Sequence, residues 1–175
     1  MKRHYLLIAL LLLMHPCLKA QNDTLSRRIV LIGDAGQLTN GRHPVVDAVK
    51  KNIPLDNKTT ILFLGDNLYK AGLPDEQYKN YSQARAVLDS QVSIADGTPA
   101  KVIMSPGNHD WENGGRGGYN AILRQQLYVD FLGKTNVNFE PEDGCPGPVG
   151  IPVGNDILLV LFDSQWWLHP NEKPE

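Results

Sequence analysis

The stretch TILFLGD, residues Thr60 to Asp66, joins an apolar and β-branched run directly to a glycine and an aspartate. A run of this length without polar alternation predicts a strand that is buried on both faces. Three more runs of this form are Arg28 to Ile32 before Gly33-Asp34, Lys101 to Met104 before Gly107-Asn108, and Ile157 to Phe162 before Asp163. The sequence therefore predicts four core strands, each followed by polar residues.

Helical patterns lie between the predicted strands. They run from Pro44 to about Ile53, from Pro74 to about Ile94, and from about Tyr119 to Leu132. The last has an apolar residue at every fourth position, namely Tyr119, Leu123, Leu127 and Phe131, as expected of a helix with one buried face. Alternating strands and helices predict an α/β fold, a layered sandwich in which helices flank a mainly parallel or mixed sheet.

The polar residues that follow the strands are Asp34, Asp66, Asn108 with His109, and Asp163. Ligand sites of open α/β sheets lie beyond the carboxyl ends of the strands. We therefore expect these side chains to converge in space, although they are far apart in the sequence.

Asp34, Asp66 and Asn108 offer two carboxylates and a carboxamide oxygen. Such hard oxygen donors suit Mg, Mn, Fe or Zn rather than soft copper. A glycine precedes each of them and allows the backbone to turn tightly and approach a ligand. The alternative is that they only cap turns and helices, but three such residues in register, with a histidine beside the third, favour a metal site.

Three motif blocks resemble those of the calcineurin-like metallophosphoesterases. They are GDAGQ (Gly33 to Gln37), GDNLY (Gly65 to Tyr69) and GNHD (Gly107 to Asp110), in the order and approximate spacing of that superfamily. The resemblance covers about Ile29 to Gln165 and implies the four-layer fold of the superfamily. The tyrosine three residues after the second aspartate is similar to that of the purple acid phosphatase branch.

The resemblance implies a ligand role for four residues. Asp34 would bind the first metal ion, Asp66 would bridge both ions, Tyr69 would bind the first as a phenolate, and Asn108 would bind the second through its side-chain oxygen. Tyr69 would favour iron at one position, with manganese, zinc or iron at the other, because a trivalent cation can hold a phenol deprotonated.

The resemblance also places His109 over the bound phosphate, where it could stabilise the transition state or protonate the leaving alcohol. Asp110 could orient that imidazole. The implied reaction is hydrolysis of phosphate monoesters, in a small molecule or a phosphoprotein, by a hydroxide that two metal ions activate. The alternatives are a phosphodiesterase or nucleotidase of the same superfamily, and a catalytically inactive binding module.

The sequence departs from the family after Phe162. The family completes its site with three later histidines, and no block of that kind follows Phe162. We therefore expect residues 21–175 to be the amino-terminal part of a phosphoesterase domain, incomplete at its carboxyl end. A missing C-terminal segment would complete the site, and this chain by itself would be impaired.

The first 20 residues resemble a secretory signal peptide, with basic Lys2 and Arg3, an apolar run from Leu6 to Met14, and a small-residue cleavage site at Ala20. The apolar run is too short to span a bilayer. We therefore expect an exported protein that is periplasmic, held at the cell surface or secreted. The net charge of −2 for the whole chain argues against nonspecific nucleic-acid binding, which needs a cationic surface.

Overall fold

A computed structural model describes residues 25–173. The predicted signal peptide, residues 1–20, lies outside the described residues. A parallel four-stranded sheet forms the centre of the fold, with the strand order β1-β2-β3-β4. Its strands are β1 (Arg28–Ile32), β2 (Thr59–Leu64), β3 (Lys101–Ser105) and β4 (Val137–Phe139).

Helices cover one face of this sheet. They are α1 (Pro44–Asn52), α2 (Tyr81–Val92), α3 (Gly118–Phe131) and the short α4 (Ser164–Leu168). The main core lies between the sheet and the three longer helices, where Phe63 and Met104 of the strands pack with Ile122 of α3. Within residues 25–173, no helix has the length and apolar character needed to cross a bilayer.

An antiparallel hairpin covers part of the other face. Its strands are β5 (Val149–Val153) and β6 (Ile157–Leu161). Leu161 packs with Leu62 of β2 and Ile103 of β3 in a second, smaller cluster. The layers are therefore helices, parallel sheet and hairpin, which confirms the predicted α/β class with a mainly parallel sheet flanked by helices.

The prediction that Ile157 to Phe162 forms a core strand of the main sheet is wrong. This run forms β6 of the hairpin, and Leu158 and Val160 are 64% and 50% exposed. The fourth strand of the parallel sheet is the short β4, which lacks a long apolar run. A short apolar run does not identify its partner strand, and this explains the error.

The predicted helix from Pro74 to Ile94 begins later than expected. Residues 74–80 form turns, α2 begins at Tyr81, and a 3₁₀ turn over Ser93–Ala95 follows it. Tyr78, which falls within the predicted helix, lies in this turn region and is exposed. An apolar residue in a turn before a helix can match the helical spacing without belonging to the helix.

Helix α3 agrees with its predicted range but not with its predicted buried face. Leu127 and Phe131 are 66% and 80% exposed. The side of α3 that faces the core instead carries Ile122, Gln125 and Val129. Two apolar stripes run along this helix, and the sequence pattern alone does not show which one packs against the sheet.

Candidate metal centre

The carboxyl ends of β1, β2 and β3 meet at a cavity of about 680 Å³. Asp34, Asp66 and Asn108 all line it, each from the segment that directly follows its strand. Leu64 and Gln165 contribute to the same wall. The structure thus brings together the three oxygen donors that the sequence predicted to converge.

The backbone at this edge is strained and tightly packed. Asp34 and Asp66 have φ values of 55° and 54°, a left-handed conformation that is uncommon outside glycine. A Cβ added to Gly107 would lie 2.5 Å from the backbone nitrogen of Asp66. The glycine therefore allows the end of β3 to approach the end of β2, which places Asn108 beside Asp66.

The three oxygen donors have unused acceptor atoms. Tyr69 donates its hydroxyl hydrogen to Oδ1 of Asp34 at 2.9 Å, and the backbone N–H of His109 donates to Oδ1 of Asp66 at 3.0 Å. Asp34 Oδ2, Asp66 Oδ2 and the side-chain oxygen of Asn108 accept no hydrogen bond from residues 25–173. Clustered free oxygens of this kind suit a hard cation, so the residues present fit a metal ion.

The phenol of Tyr69 lies beside these donors. Its hydrogen bond to Asp34, together with burial and the surrounding carboxylates, raises the pKa of Tyr69 to about 12. The phenol is therefore a hydrogen-bond donor in the metal-free chain. A ligand role for Tyr69 requires loss of this proton, which a bound trivalent cation favours.

The imidazole of His109 is oriented by the segment after β2. Its Nδ1 lies 2.7 Å from the carbonyl oxygen of Lys70, and the ring meets that of Tyr69 edge to face with centroids 4.6 Å apart. The side-chain nitrogen of Asn113 also lies 2.9 Å from Nδ1, so Nδ1 is held between two neighbours of the same site. The opposite nitrogen, Nε2, is then free for a ligand.

Asp110 does not orient this imidazole, and that expectation is wrong. Its carboxylate is fully buried and accepts hydrogen bonds from the backbone N–H groups of Gly107, Asn67 and Leu68 at 2.8, 3.0 and 3.1 Å. Burial raises the pKa of Asp110 to about 7, and a neighbouring carboxylate adds to the rise while the backbone N–H groups oppose it. Asp110 therefore ties the third motif block to the second.

Asp163 is at the end of β6 but does not line the cavity. Its Oδ2 accepts a hydrogen bond of 2.7 Å from the indole of Trp111, and its Oδ1 caps α4 by accepting from the backbone N–H groups of Gln165 and Trp166. Burial raises the pKa of Asp163 to about 6. This residue joins the hairpin to the third motif block.

Sequence reasoning missed two contributions near the centre. The Lys70 carbonyl positions His109, and the side chain of Asn113 donates to the same carbonyl at 2.8 Å. A backbone carbonyl carries no signal in the sequence.

His169 is buried against Trp111, with ring centroids 4.8 Å apart, and does not line the cavity.

The donor set at this edge contains no imidazole ligand among the described residues. Within residues 25–173, no three His, Cys, Asp or Glu side chains are grouped so that they could hold a metal ion. The candidate donors are therefore two carboxylates, one carboxamide and one phenol: Asp34, Asp66, Asn108 and Tyr69.

A sequence profile of the calcineurin-like phosphoesterases matches residues 27–173, which includes all three motif blocks. The chain belongs to the calcineurin-like phosphoesterase family. This confirms the predicted superfamily, and the match does not distinguish the purple acid phosphatase branch. No curated protein and no solved structure matches the chain.

Calcineurin-like phosphoesterases are hydrolases that act on phosphate esters and generally bind two divalent metal ions. The cavity at the ends of β1, β2 and β3 lies within the matched range. Its oxygen donors therefore suit the chemistry of the family, while Tyr69 and His109 are not among the residues that line it.

Proposed function

We propose that this calcineurin-like phosphoesterase hydrolyses phosphate monoesters at the cavity formed by the ends of β1, β2 and β3. Asp34 and Tyr69 would hold one metal ion, Asn108 would hold the second, and Asp66 would be a ligand of both. The observation that carries the proposal is the free oxygen atom on each of Asp34, Asp66 and Asn108 within one cavity.

Iron is the proposed ion beside Tyr69, with manganese, zinc or iron at the second position. Bound ions of this kind supply an activated water molecule near neutral pH and offset the charge that develops on the phosphate. The contact between the Tyr69 hydroxyl and Asp34 supports this assignment, because it places the phenol oxygen beside a carboxylate donor.

His109 is the proposed catalytic residue for the leaving group. Its Nδ1 is held by the Lys70 carbonyl and the Asn113 side chain, so Nε2 is the nitrogen left to exchange a proton with the departing alcohol oxygen. The proposed substrate is a phosphorylated small molecule or a phosphoprotein. Asp110 supports His109 only indirectly, by holding the backbone of its motif block.

We also propose that a further segment of polypeptide supplies imidazole ligands to this metal site. The donors that residues 25–173 place at this edge include no imidazole, and Leu64, Val160 and Phe162 beside the cavity are 48%, 50% and 56% exposed. Apolar residues this exposed at a binding edge favour a further packing partner.

We also propose that the protein is exported, because an apolar run follows the basic residues Lys2 and Arg3.

Calorimetric titration with Mn²⁺ tests the site without requiring turnover. We expect weak binding to the purified chain, and Asp66→Asn should lower the affinity by about tenfold or more because it removes a charged bridging donor. Asp130→Asn, an exposed carboxylate on α3, is the matched control and should bind as the parent does. Equal affinity for the parent and the Asp66 variant would contradict the proposed site.

Two further measurements test the finer parts of the proposal. Hydrolysis of p-nitrophenyl phosphate should exceed that of bis(p-nitrophenyl) phosphate, and the reverse order would favour the phosphodiesterase alternative. Loading with Fe³⁺ should produce a visible absorption band from a phenolate ligand, and Tyr69→Phe should abolish the band. A band that persists in that variant would exclude Tyr69 as the ligand.

A further inference from the structure

A second cleft lies on the helical side of the molecule, between α2, α3 and the segment that precedes α2. Its volume is about 380 Å³, and it shares no lining residue with the cavity at the candidate metal centre. Clefts of about 300–1,000 Å³ are typical of small-molecule sites. Its size and its independence from the metal centre make it a candidate for a separate ligand site.

The walls of this cleft are largely apolar. Leu127 and Phe131 of α3 line it and are 66% and 80% exposed. Leu73 is buried at the cleft, and Tyr81 and Tyr128 contribute aromatic rings. Leu127 and Phe131 belong to the apolar stripe of α3 that the sequence predicted to be buried and that the fold leaves uncovered.

One cation in the cleft lacks an anionic partner. The guanidinium carbon of Arg85 lies 4.9 Å from the ring centroid of Tyr128 and 5.7 Å from that of Tyr81. Its Nε is buried without a hydrogen-bond partner, and Arg85 makes no ion pair with a carboxylate of residues 25–173. The hydroxyl of Tyr128 and, more weakly, the charge of Asp89 raise the pKa of the Arg85 guanidinium. A partly desolvated donor without an acceptor is unfavourable, so an anion at this point would satisfy it.

The other charges of the cleft are already engaged. Arg124 donates through Nε to the Leu73 carbonyl at 2.7 Å and lies 3.7 Å from a carboxylate oxygen of Glu112. Glu76 accepts from the hydroxyl of Tyr81 at 3.2 Å. Arg85 is therefore a lining cation without an ion pair among the described residues, and Glu76 keeps a negative charge at the same cleft. Both features suit a ligand with one negative charge better than a phosphate dianion.

We propose that this cleft binds a small amphipathic carboxylate. The apolar body of the ligand packs against Leu127, Phe131 and the tyrosine rings, and its carboxylate accepts hydrogen bonds from the Arg85 guanidinium. A planar guanidinium matches the two oxygens of a carboxylate in geometry and charge.

An NMR titration of the metal-free chain tests the proposal with 4-phenylbutyrate and its uncharged analogue 4-phenylbutyramide. The carboxylate should cause saturable shifts in backbone signals of α2 and α3, with an affinity about tenfold above that of the amide. Equal affinities, shifts confined to the exposed side of the parallel sheet, or no saturable shift would each overturn the proposal.

Two substitutions test the residues involved. Arg85→Met removes the charge and keeps an apolar stem, so the carboxylate should bind only as well as the amide. Leu127→Glu places a like charge on an exposed wall of the cleft and should abolish the preference for the carboxylate while leaving the fold intact.

Arg42→Met is the matched control, since Arg42 is an exposed arginine paired with Asp47 of α1, outside the cleft. Its affinity for the carboxylate should equal that of the parent. Full affinity in both the Arg85 and the Leu127 variants would refute the assignment. Because the titration uses no metal ion and no phosphate ester, its failure would leave the proposed phosphoesterase activity unaffected.

Discussion

Asp110 shows how a residue beside a candidate catalytic histidine can have a purely architectural role. Adjacent residues commonly point in different directions, and here the carboxylate turns inward to three backbone N–H groups while the imidazole of His109 contacts the Lys70 carbonyl and the ring of Tyr69. Two of those groups belong to the segment after β2. Asp110 therefore fixes the relative position of the segments that carry Asp66 and Asn108.

Asp110→Ala should lower the free energy of unfolding by about 3 kcal/mol or more, because it leaves three N–H groups without an acceptor in the interior. Denaturant unfolding measures this loss. Asp130→Ala removes an exposed carboxylate and should change stability by less than about 0.5 kcal/mol. A similar small change in both variants would contradict the role given to Asp110.

At the residue scale, the sequence predicted that three polar residues converge, because their positions follow from strand ends. Asp34, Asp66 and Asn108 each come directly after an apolar run, and parallel strands bring such positions to one edge. The partners of Asp110 and His109 could not be predicted in the same way. Both depend on backbone groups, whose positions only the folded chain defines.

The ends of β2 and β3 depend on glycine for their close approach. A Cβ on Gly65 would lie 2.7 Å from the Cα of Gly107, and a Cβ on Gly107 would lie 2.5 Å from both the backbone nitrogen and Oδ1 of Asp66. A Cβ atom essentially never approaches another heavy atom this closely. The two strand ends can therefore meet only where neither residue has a side chain.

Gly107→Ala should lower the free energy of unfolding by about 2 kcal/mol, because the added methyl group forces the strand ends apart. It should also weaken Mn²⁺ binding, since it displaces Asp66 from Asn108. Gly33→Ala is the matched control, as a Cβ there meets no atom within 4 Å. Thermal unfolding and calorimetry of both variants measure the effects, and equal behaviour would argue against steric control by Gly107.

At the element scale, the sequence predicted three strands of the main sheet and the ranges of α1 and α3, because continuous apolar runs and helical spacing are local signals. It did not predict that β6 pairs with β5, nor which stripe of α3 is buried. Both depend on which surfaces meet, and an apolar stripe such as that of Leu127 and Phe131 has the same spacing whether or not it is covered.

Across the whole molecule, the hairpin is joined to the main sheet by both packing and a buried polar contact. Leu161 packs against Leu62 and Ile103, and next to it Asp163 accepts the hydrogen bond of the Trp111 indole. The second contact is sensitive to protonation, because burial raises the pKa of Asp163 to about 6.

This shift predicts a dependence of stability on pH. The unfolded chain releases the Asp163 proton near pH 4, while the folded chain keeps it until about pH 6, so the folded state binds more protons between these values. The free energy of unfolding should therefore decrease as the pH rises through this interval. Asp163→Asn, which does not titrate, should show a shallower decrease in denaturant unfolding measured from pH 4 to pH 7. Identical slopes for the parent and the variant would contradict the assignment.

The strand order β1-β2-β3-β4 repeats the order of the strands along the chain. Each strand of this sheet therefore pairs with the strand that precedes it in the sequence. None of the four is inserted between two strands that have already paired. Such a topology suits vectorial folding, in which the polypeptide becomes structured from its amino terminus while the remainder is still being synthesised. In that sequence of events Asp34 and Asp66 are brought together by the first pairing, and Asn108 joins them when β3 is added.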